Sequence, residues 1–384
     1  MKKPNFFLWF FLAWLLKVKT FLDGHQVTNK IKIKKPCIIL SNHASFQDYI
    51  YLVATLYPKR ITFLAAAKMF YEKGRGPFLK MARAIPMSSY QGDLKAVKNT
   101  FEILKKNGIV GIFPEGQIAY HGATLKPPFA IAKLVKKANV DVYTFVSQNT
   151  YLMYPPWSQN TFKGKTFSKM DYLFKKDELA SLSDQEIYEK IYQALYFDAG
   201  EFNKQHRYTY EVQNIANLEN LIYLCPKCHF EGLKSQDDKL VCPKCQNELI
   251  YDKYGLLDNK SMKENFENQR QIVEKEIINT PQFKLETSVK IMRYVKKKLV
   301  VTGEGLLSLS KEKYLYVGSD KGQEVTYEFD PKKIEYIPGD IGGNIQIYDA
   351  YEVYMFQMDV KYLPIKFIIC GEYFYRVNNQ NISI

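Results

Sequence analysis

The chain has 384 residues, enough for two or three domains, and 46% of them are hydrophobic, which excludes a wholly disordered protein. It carries 54 Lys and Arg against 40 Asp and Glu, a formal net charge of +14. This basic balance favours a polyanionic partner, either nucleic acid or the anionic face of a membrane. Four of the six cysteines fall in two copies of CPKC, which indicates a metal site and a reducing compartment rather than a disulfide framework.

Residues 1–22 contain an apolar run from Phe6 to Leu16, about half the length that a helix needs to cross a bilayer. The run includes two tryptophans and is flanked by lysines, and no small-residue cleavage site follows it. We therefore expect a helix that lies in the membrane interface, in a protein that is peripheral on the cytoplasmic face of the membrane. The alternative is a helix that packs on the core of its own domain.

Residues 23–205 are predicted to form an α/β domain with a mostly parallel sheet flanked by helices. Five short apolar runs are typical of strands, namely PCIIL, ITFLAA, AIPM, GIVGIF and VDVYTFVS. Helical patterns separate them, beginning near residues 46, 68, 93 and 130. Ser183 and Glu186 have the spacing of a capping box, which predicts a helix that runs to about residue 205 and closes the domain.

Two polar stretches follow predicted strands of this domain. The first, SNHASFQDYI, contains His43 and Asp48, and the second is FPEG, Phe113 to Gly116. Because the carboxyl ends of parallel strands meet at one edge of a sheet, the two stretches are expected to lie close together. His43 suits a general base, Asp48 an acceptor that orients its ring, and the turn at Pro114–Gly116 a source of N–H groups for an oxyanion. Glu115 either touches substrate or holds its loop together.

These residues resemble a known family. NHASFQD and FPEG are similar, in order and separation, to the two signatures of glycerolipid acyltransferases, which include 1-acylglycerol-3-phosphate O-acyltransferases. The resemblance covers about residues 20–205. It implies that His43 deprotonates an acceptor hydroxyl with the support of Asp48, and that residues 113–116 bind substrate. It further implies acyl-CoA or acyl-carrier protein as donor and a lysophospholipid, foremost 1-acylglycerol-3-phosphate, as acceptor. The absence of a G-x-S-x-G elbow agrees with direct attack on a thioester.

The sequence departs from this family where arginines usually hold the acceptor's phosphate. Ser88 and Ser89 stand in one such place, and Gln117–Ala119 follow FPEG in the other. Lys68, Arg83 and Lys126 are the possible substitutes. Arg83 is preferred, because it ends the helix before AIPM and could lean toward His43.

The rest of the chain contains three further predicted segments. Residues 221–251 carry Cys225, Cys228, Cys242 and Cys245, whose two C-x2-C turns predict a closed four-thiolate zinc ribbon with one structural zinc per chain. Iron in a rubredoxin-like site fits the same spacing. Residues 252–283 are a predicted helical connector. Residues 284–384 are predicted to form a small all-β barrel or sandwich, because short alternating strands, the last two at KFIICG and EYFYRV, follow each other about every ten residues.

A second class of function competes with catalysis. A zinc ribbon in a basic chain is also typical of a non-catalytic scaffold that binds lipid or nucleic acid. The ribbon has few of the arginines that read bases, so nucleic acid is the less expected partner. The lysine-rich stretch YVKKKLVV, residues 294–301, is either a contact for anionic lipid or a solvated run of charge.

Overall fold

The computed structural model describes residues 2–87, 93–295, 298–349 and 352–380, and the chain divides into two compact units. Unit 1 comprises residues 1–156, 160–212 and 253–256, and unit 2 comprises residues 157–159, 213–252 and 257–384. Ser88 and Ser89 lie outside the described residues. The interface helix and the α/β domain, which we treated as two segments, thus fall in one unit. The ribbon, the connector and the β region fall together in the other.

Unit 1 contains eight α-helices and seven strands within its described residues. The helices are α1 (Phe6–Leu22), α2 (Asp48–Leu56), α3 (Arg75–Met81), α4 (Leu94–Lys105), α5 (Ala130–Ala138), α6 (Thr150–Met153), α7 (Asp184–Leu195) and α8 (Ala199–His206). The strands are β1 (Gln26–Asn29), β2 (Cys37–Ser41), β3 (Thr62–Ala66), β4 (Ile85–Met87), β5 (Ile109–Ile112), β6 (Asp141–Gln148) and β7 (Phe167–Phe174). Short 3-10 turns occupy Ala67–Tyr71 and Lys176–Glu178.

The seven strands form one sheet in the order β1-β7-β6-β2-β5-β3-β4. The strands from β6 to β4 pair in parallel, which confirms the predicted mostly parallel sheet, and β7 pairs with β6 in the antiparallel sense. Every residue of β2 and β5 is buried, as expected for central strands that helices cover on both faces. The sequence analysis missed β1 and β7, because polar and charged residues interrupt their apolar positions.

The helix predicted to run from Ser183 to about residue 205 is two helices. The capping box at its start is present, with Ser183 and Glu186 each bonded to the other's backbone. α7 nevertheless ends at Leu195, and the Asp198 side chain caps α8 by accepting from the N–H of Glu201. The break is tertiary in origin, because Phe197 and Asp198 pair with the backbone around Ala123.

Helix α1 packs on the core with one side and exposes apolar side chains on the other. Trp9 and Ala13 are buried in the core cluster, and Trp9 Nε1 donates to the Lys59 carbonyl at 3.0 Å. By contrast, Phe7 is 81% exposed and Phe21 is 82% exposed. The alternative of packing on the core thus holds for one side of this helix, and contact of the other side with a membrane stays a prediction. Among the described residues, no helix has the length and the apolar character that crossing a membrane requires.

Unit 2 contains two α-helices and nine strands within its described residues. A three-stranded sheet comprises β8 (Lys234–Gln236), β9 (Lys239–Val241) and β10 (Glu248–Ile250), and α9 (Met262–Asn279) follows it. A second, antiparallel sheet comprises β11 (Leu285–Val295), β12 (Lys298–Leu309), β13 (Tyr314–Asp320), β14 (Gln323–Phe329), β15 (Asn344–Tyr348) and β16 (Val353–Met358). Its order is β14-β13-β12-β11-β16-β15, and α10 (Leu363–Gln380) comes after it. 3-10 turns occupy Leu218–Asn220 and Pro331–Lys333.

The antiparallel β region is confirmed, but the two strands predicted at KFIICG and EYFYRV are wrong. These residues, 366–377, belong to α10, so this part of the chain is not all-β. Their β-branched and aromatic side chains favour strands. However, Phe367, Cys370, Phe374 and Val377 recur at helical intervals and are all buried. Packing of this buried face stabilises the helix over the predicted strands.

Candidate active site

His43 and Asp48 lie beside each other at the carboxyl end of β2. His43 follows the strand by two residues, and Asp48 is the first residue of α2. The Nδ1 atom of His43 lies 3.2 Å from Oδ2 of Asp48, whose side chain is fully buried, whereas that of His43 remains 22% exposed. Because a carboxylate only accepts hydrogen bonds, the neutral His43 imidazole carries its hydrogen on Nδ1 and keeps a lone pair on Nε2. This is the arrangement of an oriented general base.

The Asp48 carboxylate is held by three further donors. Its Oδ2 atom accepts from the N–H of Ser45 at 2.7 Å, and its Oδ1 atom accepts from the hydroxyls of Thr150 at 2.8 Å and Ser45 at 3.3 Å. Thr150 is 102 residues away in sequence and opens α6, directly after β6. The analysis of the sequence missed it. The only indication that the sequence offers is the place of this threonine, shortly after a buried strand.

Asn42 ties the histidine loop to the neighbouring strand. Its Nδ2 atom donates to the Ser147 carbonyl at 3.0 Å, and its Oδ1 atom accepts from the Ser147 N–H at 2.7 Å. This pair of bonds extends the β2–β6 register by side chain beyond Ser41. It therefore fixes the backbone of His43 relative to β6, which carries Thr150 at its end.

Glu115 holds two loops together. Its Oε1 atom accepts from the N–H of His43 at 2.6 Å, and its Oε2 atom accepts from the N–H of Leu125 at 2.8 Å. The side chain is buried. Burial raises the pKa of the Glu115 carboxyl to about 8, against the effect of the two N–H groups, which lower it. Both oxygens are thus committed to backbone, which favours the loop-holding role over direct contact with substrate.

The other residues of FPEG surround the histidine. The Phe113 ring lies 4.5 Å from the His43 ring between centroids, and Ala119 N–H donates to the His43 carbonyl at 2.8 Å. Pro114 has no N–H, and the N–H of Gly116 donates to Phe113 O at 3.3 Å. Of the backbone N–H groups in this turn, that of Glu115 is therefore the candidate donor to an oxyanion. Gly116 has a φ of +74°, with open space where a side chain would begin.

The three cations predicted from the sequence are not the one that contacts the loop between His43 and Asp48. Lys68 lies in the 3-10 turn after β3, Arg83 follows α3 with a φ of +50°, and Lys126 is exposed. No hydrogen bond or ion pair joins Lys68 or Arg83 to another side chain in the part of the chain that the structure describes. Arg75, which the sequence analysis did not select, lies over the ring of Phe46, with Cζ 5.2 Å from the centroid. Phe46 stands between His43 and Asp48.

The four cysteines of unit 2 converge. The Sγ atoms of Cys225, Cys228, Cys242 and Cys245 all lie within 4.8 Å of one another. Two of the sulfur–sulfur distances are 3.7 Å and 3.6 Å. A tetrahedron with metal–sulfur bonds of about 2.3 Å has edges of about 3.8 Å, so this group fits such an ion. In addition, backbone N–H groups of residues 227 and 228 bond to the sulfur of Cys225, and those of residues 244 and 245 to the sulfur of Cys242.

Unit 1 is therefore an α/β domain with a histidine–aspartate pair at the carboxyl end of a parallel sheet. Residues 24–148 match the family model described as Acyltransferase, so this part of the chain is similar to that family. The match includes both polar stretches and ends two residues before Thr150.

The known proteins that are similar to the chain include two acyltransferases. The 1-acyl-sn-glycerol-3-phosphate acyltransferase of Bacillus subtilis (strain 168) is 32% identical over 119 residues, which are 30% of this chain and 60% of that protein. The chain thus spans less than two thirds of the length of this relative. The crystal structure of the 1-acyl-sn-glycerophosphate (LPA) acyltransferase from Thermotoga maritima matches 50% of this chain and 79% of its own, with 16% identity and a TM-score of 0.42.

Proposed function

We propose that the protein is an O-acyltransferase that moves a fatty acyl group from an acyl thioester to the free hydroxyl of a lysophospholipid. The observation that carries the proposal is the His43–Asp48 pair, held by Ser45 and Thr150, within the residues that match the Acyltransferase family model. The similarity to the Bacillus subtilis protein supports 1-acylglycerol-3-phosphate as the acceptor and phosphatidic acid as the product. The donor is acyl-CoA or acyl-carrier protein, since both present an acyl thioester.

The geometry supports a direct transfer. His43 Nε2 removes the proton of the acceptor hydroxyl as its oxygen attacks the thioester carbon, and Asp48 stabilises the imidazolium that forms. The new carbon–oxygen bond replaces the carbon–sulfur bond, and the proton passes from His43 to the departing thiolate. A positioned general base of this kind contributes a rate factor of about 10² to 10⁴.

A phosphate monoester on the acceptor requires a cation, because a dianion is not stable in an apolar cleft without a partner. Lys68 and Arg83 remain the proposals from the sequence, and Arg75 joins them because it lies over Phe46. The Arg75 guanidinium also pairs with Glu72 at 3.1 Å, so binding of a phosphate there would compete with this carboxylate. Separate alanine variants of the three residues, each assayed for KM with lysophosphatidate and with a phosphate-capped lysolipid, identify the cation by its selective effect.

The exposed side of α1 supports a peripheral location on the cytoplasmic face of the membrane. Phe7 and Phe21 are 81% and 82% exposed on that side, and a large exposed apolar patch is a sign of an interaction surface. The lysines at positions 2, 3, 17 and 19 provide attraction to anionic headgroups. The lysophospholipid acceptor would then reach the enzyme from the same surface.

The four-cysteine group is proposed to hold one zinc ion. All four ligands come from the protein, which leaves no open coordination position, so the ion would stabilise the ribbon and take no part in acyl transfer. His229, next to Cys228, is exposed and does not belong to the described group.

The function is tested with the purified full-length chain, both acyl donors and a panel of lysolipid acceptors. His43→Asn, which keeps an N–H donor near the position of Nδ1 but has no basic nitrogen, is expected to lower kcat by about 10² or more, because the base is lost. The matched control is His206→Asn, on the exposed end of α8. Transfer by His43→Asn at the rate of the control would contradict the mechanism. No product from folded wild type with any acceptor would favour the non-catalytic alternative.

A further inference from the structure

In the antiparallel sheet of unit 2, the pair formed by β11 and β12 extends beyond the strands beside it, β16 and β13. β11 pairs with β16 only as far as Met292, and β12 pairs with β13 only from Gly305. Beyond these limits, the described residues 293–295 and 298–300 form ladder pairs with each other, through Arg293↔Val300, Tyr294↔Leu299 and Val295↔Lys298, and Val301 pairs with Met292. We call residues 293–301 the ribbon tip. The tip thus has two unpaired edges among the described residues.

The ribbon tip is firmly held at its base. Arg293 is 6% exposed, and its guanidinium donates to Asp320 Oδ2 at 2.8 Å and lies 4.4 Å over the Tyr354 ring. Asp320 also accepts from the hydroxyls of Thr302 and Tyr327. These contacts fasten Arg293, at the start of the tip, to β13 and β16.

The side chains of the tip are unusual for a solvated ribbon. Tyr294, Val295, Val300 and Val301 are 39%, 46%, 37% and 53% exposed. They lie on both faces, because residues 294 and 301 point to the face opposite that of residues 295 and 300. An exposed ribbon in water is expected to carry polar side chains on at least one face. These exposed apolar side chains therefore indicate that the tip contacts either a membrane or another molecule.

The charge of the same segment selects among possible partners. From Tyr294 to Val301 the sequence has three consecutive lysines and no acidic residue. A second copy of the chain would bring like charges together. Nucleic acid would pair with the lysines but leave the valines in water, and the single arginine of the tip is committed to Asp320. Aliphatic and tyrosine side chains beside lysines match the boundary between acyl chains and anionic headgroups.

We propose that the ribbon tip is a membrane-docking element that places Tyr294, Val295, Val300 and Val301 among the headgroups of an anionic bilayer. The lysines then contact lipid phosphates. The unpaired backbone groups of the edges keep the tip at headgroup depth, because such groups cannot be buried in hydrocarbon. Only the reason for docking depends on the proposed function. Docking of the tip would keep unit 2 at the membrane surface, where the acceptor lies.

The test is hydrogen exchange of the full-length chain with and without vesicles of phosphatidylcholine that contain about one third phosphatidylglycerol. No acyl donor or lysolipid is present, so the result does not depend on acyl transfer. Peptides covering residues 293–301 are expected to become protected with these vesicles and not with phosphatidylcholine alone. Exchange reports the tip separately from α1, so binding through the helix cannot be mistaken for docking of the tip.

Two sets of variants separate the contributions. The first set is a triple variant that combines Val295→Thr, Val300→Thr and Val301→Thr. It keeps β-branched side chains and is expected to weaken vesicle binding about tenfold or more, because apolar area is lost. Replacement of the three lysines by glutamine is expected to weaken it about fivefold for each lysine. The matched control carries Val360→Thr, Lys332→Gln and Lys333→Gln, all exposed elsewhere in unit 2.

Three outcomes would overturn the proposal. The first is vesicle binding without protection of the tip. The second is protection that grows with protein concentration in the absence of lipid, which would indicate self-association. The third is equal protection by RNA that the threonine variants leave unchanged, which would indicate a nucleic-acid contact. Near-ultraviolet circular dichroism of each variant checks that the anchored base stays folded.

Discussion

At the scale of single residues, the reactive pair depends on side chains from three separate parts of the chain. Asp48 is positioned by Ser45 from its own loop and by Thr150 from the end of β6, and the backbone of His43 is positioned by Glu115 from the loop after β5. The signatures identify His43 and Asp48 from local sequence. Local sequence also identifies Glu115, but its bond to His43 and the part played by Thr150 are visible only in the fold, because the separations are 72 and 102 residues.

Thr150→Val tests the support of the aspartate. The change removes the hydroxyl donor to Asp48 Oδ1 but keeps the shape of the side chain, so kcat is expected to fall about tenfold with KM little changed. Thr150→Ser should restore most of the rate. Thr100→Val, which removes another fully buried hydroxyl in α4, is the control. Equal kinetics of Thr150→Val and Thr100→Val would show that Thr150 does not position Asp48.

Glu115 predicts a pH dependence of stability. Its pKa of about 8 in the folded state exceeds the ordinary value of 4.5, so the folded protein binds more protons than the unfolded chain between these values. The stability that the protonated side chain contributes is therefore lost as pH rises toward 8, by at most about 1.4 kcal/mol per pH unit. Urea unfolding of wild type and Glu115→Gln from pH 5 to 8 measures this, because glutamine does not titrate. A constant difference between the two proteins would mean that Glu115 stays ionised.

At the scale of elements, α1 and the ribbon tip share a design in which an anchored element exposes apolar side chains beside lysines. Trp9 anchors α1 through Lys59 O, and Arg293 anchors the tip through Asp320. Sequence alone could not choose between an interface helix and a core helix for α1. Both sides of the helix are apolar, and only the packing shows which side faces the core.

Phe7→Glu and Phe21→Glu, made singly, test the exposed side of α1. Each is expected to weaken binding to anionic vesicles by about tenfold to a hundredfold, because a large apolar side chain is replaced by an anion, while stability stays within about 0.5 kcal/mol. Flotation with the vesicles measures the first effect and urea unfolding the second. Leu94→Glu, on the 83% exposed first residue of α4, is the control. Vesicle binding that survives both phenylalanine changes would remove α1 from the membrane contact.

At the scale of the whole molecule, the proposed catalytic pair and the proposed metal ligands belong to different units. The His43–Asp48 pair lies in unit 1 and the four cysteines lie in unit 2, where Lys366 of α10 pairs with Glu231 at 2.6 Å and with Glu276 of α9 at 3.2 Å. The C-x2-C module that the sequence presents as separate is thus joined to both helices of unit 2. Loss of the metal should spread through this unit, because small metal modules owe much of their folding free energy to the ion.

Chelation of the purified protein tests this division. Metal analysis is expected to find one zinc per chain, and Cys225→Ser to lose it, whereas His229→Gln retains it. Removal of the ion should increase hydrogen exchange over residues 224–251, while acyl transfer survives in part. Loss of all transfer with unchanged exchange in the ribbon would contradict a structural role for the ion. Iron in place of zinc would indicate the rubredoxin-like alternative.

What the sequence by itself determined is local in origin. Strand–helix alternation, the spacing of His43 and Asp48, and the two C-x2-C turns are all set within a few residues, so they were readable without a structure. Tertiary structure decided the rest. The apolar residues of 366–377 became a helix because one face packs on the core, and Thr150 became part of the site because β6 lies beside β2. It also decided that the valines of YVKKKLVV remain exposed, since burial depends on which strands extend beyond their neighbours.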